Sequence, residues 1–409
     1  MSSGSERKDF AATKQMKTIM GKYFGDLAQA PQHGRKIAWC TSVGPAELLR
    51  SLGFDVYFPE NHGAMLGATR MATDLIPLAN AHGFSPDICS YLTSDIGSYL
   101  KGATPLQKMG LTGIPKADVL IFNTNQCRDV KDWFQWYARE WNVPCFGIHT
   151  PRAVGDVDEL LVDYVGRQIE ALVEPLAQIA GVPFDIDRLR SVISLSRECT
   201  LLWKRVLEAA ASVPSPLTFF DGTIQMGPAV VLRGLPEAVS YYQTLVAELD
   251  ERVAAGYAAV EGERFRIYWE GMPVWGKLRD LATQFMELKS CVVASTYCNS
   301  WIFEALDAND PFRSMARAYS SIFICRSDDQ KERYIQQMIA KYRINGIIYH
   351  DSKTCPNNSN SRYEMPQRVR QAVDIPYLII NGDLNDLRLF SEEQTRTNIE
   401  AFAEQLTEV

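Results

Sequence analysis

The sequence lacks several things that would settle a function class at once. No apolar run approaches the ~20 residues needed to cross a bilayer, so no membrane-spanning helix is expected. Its opening, MSSGSERKDFAATKQMK, has no apolar stretch of the kind that directs secretion. The expectation is a cytoplasmic protein with no membrane partner. There is no excess of basic charge: 42 Lys and Arg stand against 49 Asp and Glu, a net charge of −7. A nucleic-acid partner is not expected, because phosphate backbones select basic surfaces. No GxxxxGK[ST] loop is present, so this chain does not hydrolyse a nucleotide through a Walker motif. No GxGxxG follows an apolar run, which argues against a dinucleotide site. No two cysteines form a CxxC pair, which excludes zinc-ribbon and bacterial-ferredoxin runs.

What is present is a globular composition, 46% hydrophobic and 22% charged over 409 residues. At roughly 100–200 residues per domain, two or three domains are expected. Short apolar, β-branched runs at 36–43, 54–59, 117–124 and 143–149 alternate with the helical patterns PAELLRSL, RMATDLIPLANAHG and VKDWFQWYAREW. The same rhythm returns at 264–270, 289–296, 346–350 and 377–381, with SDDQKERYIQQMIAKYRI as the helix before the third run. Strands alternating with helices predict parallel sheets. Between them, 157–213 and 229–256 carry apolar residues near helical period. The fold class is therefore α/β, two parallel-sheet domains with a helical segment between them. The expected boundaries are 1–155, with a helical N-terminus, then 156–262 for the helical segment and 263–409.

The nine cysteines are odd in number and are not expected to pair in a reducing compartment. Cys40, Cys145, Cys291 and Cys325 lie in apolar strand-like runs and Cys199 in a helical pattern, so these read as small buried hydrophobes. Three others sit in polar loops at element ends. Cys127 follows a strand in NTNQCRD, Cys355 follows a strand in HDSKTCPNN, and Cys89 stands at a helix start in GFSPDICSYLTSDIG. Ligands of open parallel sheets bind beyond the carboxyl ends of the strands. Two readings stand side by side: three unrelated loop thiols, or one shared centre for a metal or iron–sulfur group with one position not filled by cysteine. Helix N-termini and loop amides would favour thiolates there. Ser42, Glu60 and His62 lie in strand-end loops, where Glu60-Asn61-His62 would supply proton donors or, in the other reading, Glu60 and Asn61 would cap the next helix. In YWEGMPVW, Glu270 and Trp275 form either a pocket wall or plain core.

Taken together, WCTSVGPAELL, YFPENHGAM, SPDICSYLTSDIG, NTNQC, YHDSKTCPNNS and YLIINGD resemble the subunits of 2-hydroxyacyl-CoA dehydratases and ATP-dependent benzoyl-CoA reductases, over nearly the whole chain. The resemblance implies two flavodoxin-like domains with helical insertions. It implies one 4Fe–4S cluster held by Cys89, Cys127 and Cys355, its fourth iron open to water or to a thioester oxygen. It implies an acyl-CoA substrate, a heterodimer with a second cluster-bearing homologous subunit, a separate ATP-hydrolysing iron–sulfur activator, and ferredoxin as electron source. The family's active-site positions fall on Ser42 and Glu60; His62 is added from its place beside them. SYLTSDIGSYLKG and SPLTFFDGTIQMGPAVVLRGLPEAVSYYQTLVAELDERV look most like the larger benzoyl-CoA reductase subunits. The expected reaction is thus low-potential electron transfer to an aromatic acyl-CoA, with loss of ring aromaticity. A subunit of an (R)-2-hydroxyacyl-CoA dehydratase acting through a ketyl radical is the alternative. An electron-relay or structural partner subunit is the alternative from another class.

Overall fold

A computed structural model of the chain describes residues 9–152 and 155–408. Residues 1–8, part of the N-terminal stretch read above, lie outside them. The eight strands form two four-stranded sheets. The first contains β1 (Ile37–Cys40), β2 (Asp55–Tyr57), β3 (Val119–Asn123) and β4 (Cys145–Ile148), in the order β2-β1-β3-β4. The second contains β5 (Phe265–Glu270), β6 (Ser290–Ser295), β7 (Gly346–Ser352) and β8 (Tyr377–Gly382), in the order β6-β5-β7-β8. Every pairing is parallel. The two sheets therefore share one topology, and each reverses its winding at its central pair, β1/β3 and β5/β7. Crevices open at such switch points.

The central strands IAWC and VLIFN are buried along their whole length, as parallel strands covered on both faces must be. Helix Arg128–Trp141 covers one face of the first sheet. Its Tyr137 and Trp141 rings lie 4.6 and 5.0 Å from Trp39. In the second sheet Trp269 stacks on Phe219 at 5.4 Å, which brings the helical segment onto β5. One continuous buried apolar cluster runs from Phe10 to Leu406 and includes both sheets and the helices between them.

The helical segment is broken more finely than its periodicity suggests. Residues 157–213 form helices Glu159–Ala171, Val173–Ala180 and Ile186–Glu208. Gly181, at φ 71°, ends the second helix in a left-handed turn that costs glycine little. The run 229–256 divides into Gly227–Val231 and Pro236–Ala254, because Pro236 starts a helix and cannot continue one. Cys325 is not in a strand. It ends the 3₁₀ turn Phe323–Cys325 and is buried there, donating to the Asn125 carbonyl. Cys145 is in an edge strand, β4, and is only partly buried. Among the described residues no helix is long and apolar enough to cross a membrane.

Candidate functional site

The three loop cysteines each sit at the N-cap of a helical element. Cys89 precedes helix Ser90–Lys101, Cys127 precedes helix Arg128–Trp141, and Cys355 precedes the 3₁₀ turn Pro356–Asn358. Extended strands deliver Cys127 and Cys355 to this position: each stands just past the carboxyl end of the third strand of its sheet, β3 or β7. All three thiols line one cavity of about 380 Å³.

Burial raises the pKa of each thiol, to about 12 for Cys127 and Cys355 and well above the usual range for Cys89. The next influence on Cys89 is the charge of Cys127 and then of Cys355, so the three sulfurs lie within electrostatic reach of one another. Opposing this, the N–H three residues on, from Leu92, Val130 and Asn358 respectively, favours each thiolate. Three partly buried thiols, each faced by a helix-terminal amide, are chemically the kind of donor set that a soft metal would take, in exchange for the thiol protons. Among the described residues no group of three or more His, Cys, Asp or Glu is placed to hold a metal ion as the side chains stand.

Side chains tie these loops together. Asp129 accepts the Cys89 N–H at 2.9 Å, joining the Cys127 helix to the Cys89 turn. The Ser90 N–H donates to Thr354 Oγ1 at 3.0 Å, joining the Cys89 helix to the Cys355 turn. Arg152 donates to the Gln126 carbonyl at 3.1 Å and to Asn357 Oδ1 at 2.7 Å, joining the Cys127 and Cys355 turns.

Ser42 and Glu60 also line the cavity. Ser42 follows β1, and its N–H donates to Glu60 Oε2. Glu60 does not cap a helix. It is the second residue of helix Pro59–Ala68, whose N-cap is Phe58. Burial holds its carboxyl above the ordinary range, against donors from Ser42 and Gln126 that pull it down. The Ser42 loop is itself pinned by Arg233, which donates to the carbonyls of Ser42 at 2.7 Å and Gly44 at 2.9 Å and pairs with buried Glu47.

His62 is not where its neighbourhood in sequence suggested. It is 1% exposed and does not line the cavity among the described residues. Its Nδ1 meets Asp95 Oδ1 at 2.6 Å and its Nε2 meets Thr104 Oγ1 at 2.9 Å. Two residues along a helix turn the side chain by about 200°, so Glu60 and His62 face opposite ways. Asp95 also accepts from Trp133 Nε1 at 3.0 Å, and Trp133 does line the cavity. His62 thus belongs to the support of the cavity wall. Of YWEGMPVW, Gly271, Met272 and Trp275 line the cavity, and Glu270 lies behind them.

The reading from sequence missed Asp129, Arg233 and Gln126. Asp129 and Gln126 flank Cys127 and were within reach of the strand-end rule. Arg233 stands in the helical segment, and nothing local marks it as the support of a loop 191 residues earlier.

Residues 41–406 match the profile of the 2-hydroxyglutaryl-CoA dehydratase D-component. The chain belongs to that family. It is 29% identical over 400 residues to the lactoyl-CoA dehydratase alpha subunit of Anaerotignum propionicum, covering 95% of this chain and 94% of the relative. It is 28% identical over 407 residues to the (R)-2-hydroxyisocaproyl-CoA dehydratase alpha subunit of Clostridioides difficile, covering 99% and 98%. It is 28% identical over 413 residues to one of the subunits of the benzoyl-CoA reductase of Thauera aromatica, covering 97% and 94%. These family members are subunits of enzymes named for acyl-CoA thioesters. The preference for the reductase branch taken from the local sequence blocks has no support in these identities, since dehydratase subunits match at least as well.

Proposed function

We propose that this chain is the cluster-bearing catalytic subunit of a two-subunit enzyme that dehydrates an apolar (R)-2-hydroxyacyl-CoA. The observation that carries the reading is one cavity lined at once by three cysteines at the starts of helical elements and by the buried Ser42–Glu60 pair. Cys89, Cys127 and Cys355 would hold a 4Fe–4S cluster with one iron free of thiolate. When bound, that cluster would supply a very low-potential electron to the thioester, fed by an ATP-hydrolysing activator and ferredoxin through the second subunit.

The chain's own residues do the rest. The cavity wall is largely apolar, with Met16, Met20, Phe24, Met65, Trp133 and Trp301 among its lining, and it excludes water from the acyl group. Flexible methionines suit acyl chains of differing branching. Glu60, its pKa raised by burial, keeps a proton nearer neutrality than an exposed carboxyl would. It would hold that proton at its carboxyl oxygen for the thioester oxygen or for the departing hydroxyl. The Ser42 amide keeps the carboxyl aimed into the cavity.

A relay subunit would need no such cavity beside its thiols, which favours the catalytic reading over the electron-relay one. Ring reduction of an aromatic acyl-CoA is the second reading, favoured by the near full-length similarity to the Thauera aromatica protein. The test is the complex of both subunits, purified under anoxia and assayed with activator on a 2-hydroxyacyl-CoA and on benzoyl-CoA. Dehydration of the first supports the proposal, and turnover of the second alone replaces it with the reductase reading. A chain purified without iron overturns both.

A further inference from the structure

We propose that Asp383 is a positioning residue that sets the separation of Cys89 and Cys355, so that two turns from opposite halves of the chain present their thiols as one preassembled edge. This rests on the assignment of the three cysteines as cluster ligands. Asp383 stands immediately past β8 and is fully buried. Its Oδ2 accepts the Thr354 N–H at 2.8 Å and the Thr354 hydroxyl at 2.6 Å, both from the residue before Cys355. Its Oδ1 accepts the hydroxyl of Ser90, the residue after Cys89, at 2.5 Å. The Thr354 hydroxyl, while donating to Asp383, accepts the Ser90 N–H. One carboxylate thus grips the chain neighbours of two thiols that are 266 residues apart.

Asp383 is held rigidly enough to do this. The N–H groups of Asn385 and Asp386 donate to Oδ1, each at 3.0 Å. Both oxygens therefore face backbone donors that cannot turn away. An amide in this place must aim its NH₂ group at one set of those donors, so the isosteric Asn breaks the grip whichever way it is turned. The role is distinct from the wall-building of His62 and from the proton handling of Glu60: Asp383 does not line the cavity among the described residues and acts through Ser90 and Thr354.

The experiment compares wild type with Asp383→Asn, Thr354→Val and Thr354→Ser in the two-subunit complex prepared under anoxia. Iron per chain, the rate of iron loss to a chelator and the electron paramagnetic resonance spectrum of the reduced complex are read. Groups that orient metal ligands typically matter by about 10–100-fold in metal affinity. Asp383→Asn and Thr354→Val are expected to lose iron about 10–100-fold more readily and to alter the spectrum, while Thr354→Ser, which keeps the hydroxyl, retains both wild-type properties. If Asp383→Asn does not fold, Thr354→Val against Thr354→Ser decides. Wild-type iron retention and spectrum in Thr354→Val overturn the proposal. A wild-type chain without iron overturns the cluster assignment itself, a result that the variants cannot mimic.

Discussion

Serine at position 127 would keep the side chain's shape and replace a soft sulfur ligand by a poor, protonated oxygen. Cys127→Ser is expected to lose iron while the chain keeps its fold, because the sheets do not depend on that turn; unchanged iron content and activity would remove Cys127 from the ligand set. Cys199 is the contrast. It is buried in helix Ile186–Glu208, away from the cavity, and burial is the main cause that raises its pKa to about 12. Cys199→Ser should leave iron unchanged and cost about 1–3 kcal/mol in a denaturant melt, the penalty of an unpaired buried hydroxyl. Glu60→Gln keeps an acceptor for the Ser42 N–H but has no proton to give. Turnover should fall by about 10²–10⁴-fold with iron retained; unchanged turnover would return Glu60 to a structural role. At this scale the placement of the three cysteines at element ends was legible, because their polar loop settings separate them from packed thiols. His62 was not, since adjacency in a sequence does not fix the direction in which a helix turns each side chain.

Among the elements, the turn after β1 depends on a buried ion pair supplied by the helical segment. Glu47 accepts from Arg233 Nε at 3.2 Å, from Ser196 Oγ at 2.8 Å and from the Tyr319 hydroxyl at 2.5 Å, so two other helices and a turn meet on its carboxylate. Arg233→Met would leave that carboxylate without its cation and three backbone carbonyls, those of Ser42, Gly44 and Val230, without their donor. A loss of about 3–5 kcal/mol is expected, measured by chemical denaturation, with Ser42 released from its place beside Glu60. A cost below about 1 kcal/mol would show that the pair does not support the turn. The strands and most helices could be read from apolar runs and helical periodicity, because each buries a face of its own. The breaks inside 157–213 and 229–256 could not, because a helical period persists across turns such as those at Gly181 and Pro236, and across the break at Leu172. The burial of Cys325 was legible in its apolar run, but that the run forms an irregular turn rather than a strand was not.

For the molecule as a whole, Glu270 gives stability a dependence on pH. It ends β5, is 1% exposed, and among the described residues its Oε2 has no hydrogen-bond partner, while Asn360 donates to Oε1 at 2.7 Å. Burial raises its pKa from 4.5 to about 7, against the pull of Asn360 and Lys331. The native state therefore holds this proton more tightly than the unfolded chain does. The contribution of this group to stability is expected to fall as pH rises from 4.5 to about 7 and to level off above. Glu270→Gln should flatten that slope, gaining on wild type at about pH 8 relative to about pH 5 in paired denaturant melts; parallel curves would count against it. The shared strand order of the two sheets has a consequence of another kind. Two identical halves facing each other across a crevice could supply ligands only in twos. The turns after β3 and β7 do bring such a pair, Cys127 and Cys355, to the cavity. Cys89 stands between β2 and β3, and among the described residues no cysteine from between β6 and β7 lines the cavity as its counterpart. On the proposed ligand set, an odd count, and with it a metal corner left to the substrate, would be available only to halves that have become unlike. The asymmetry of the chain, more than any single thiol, is what makes room for chemistry.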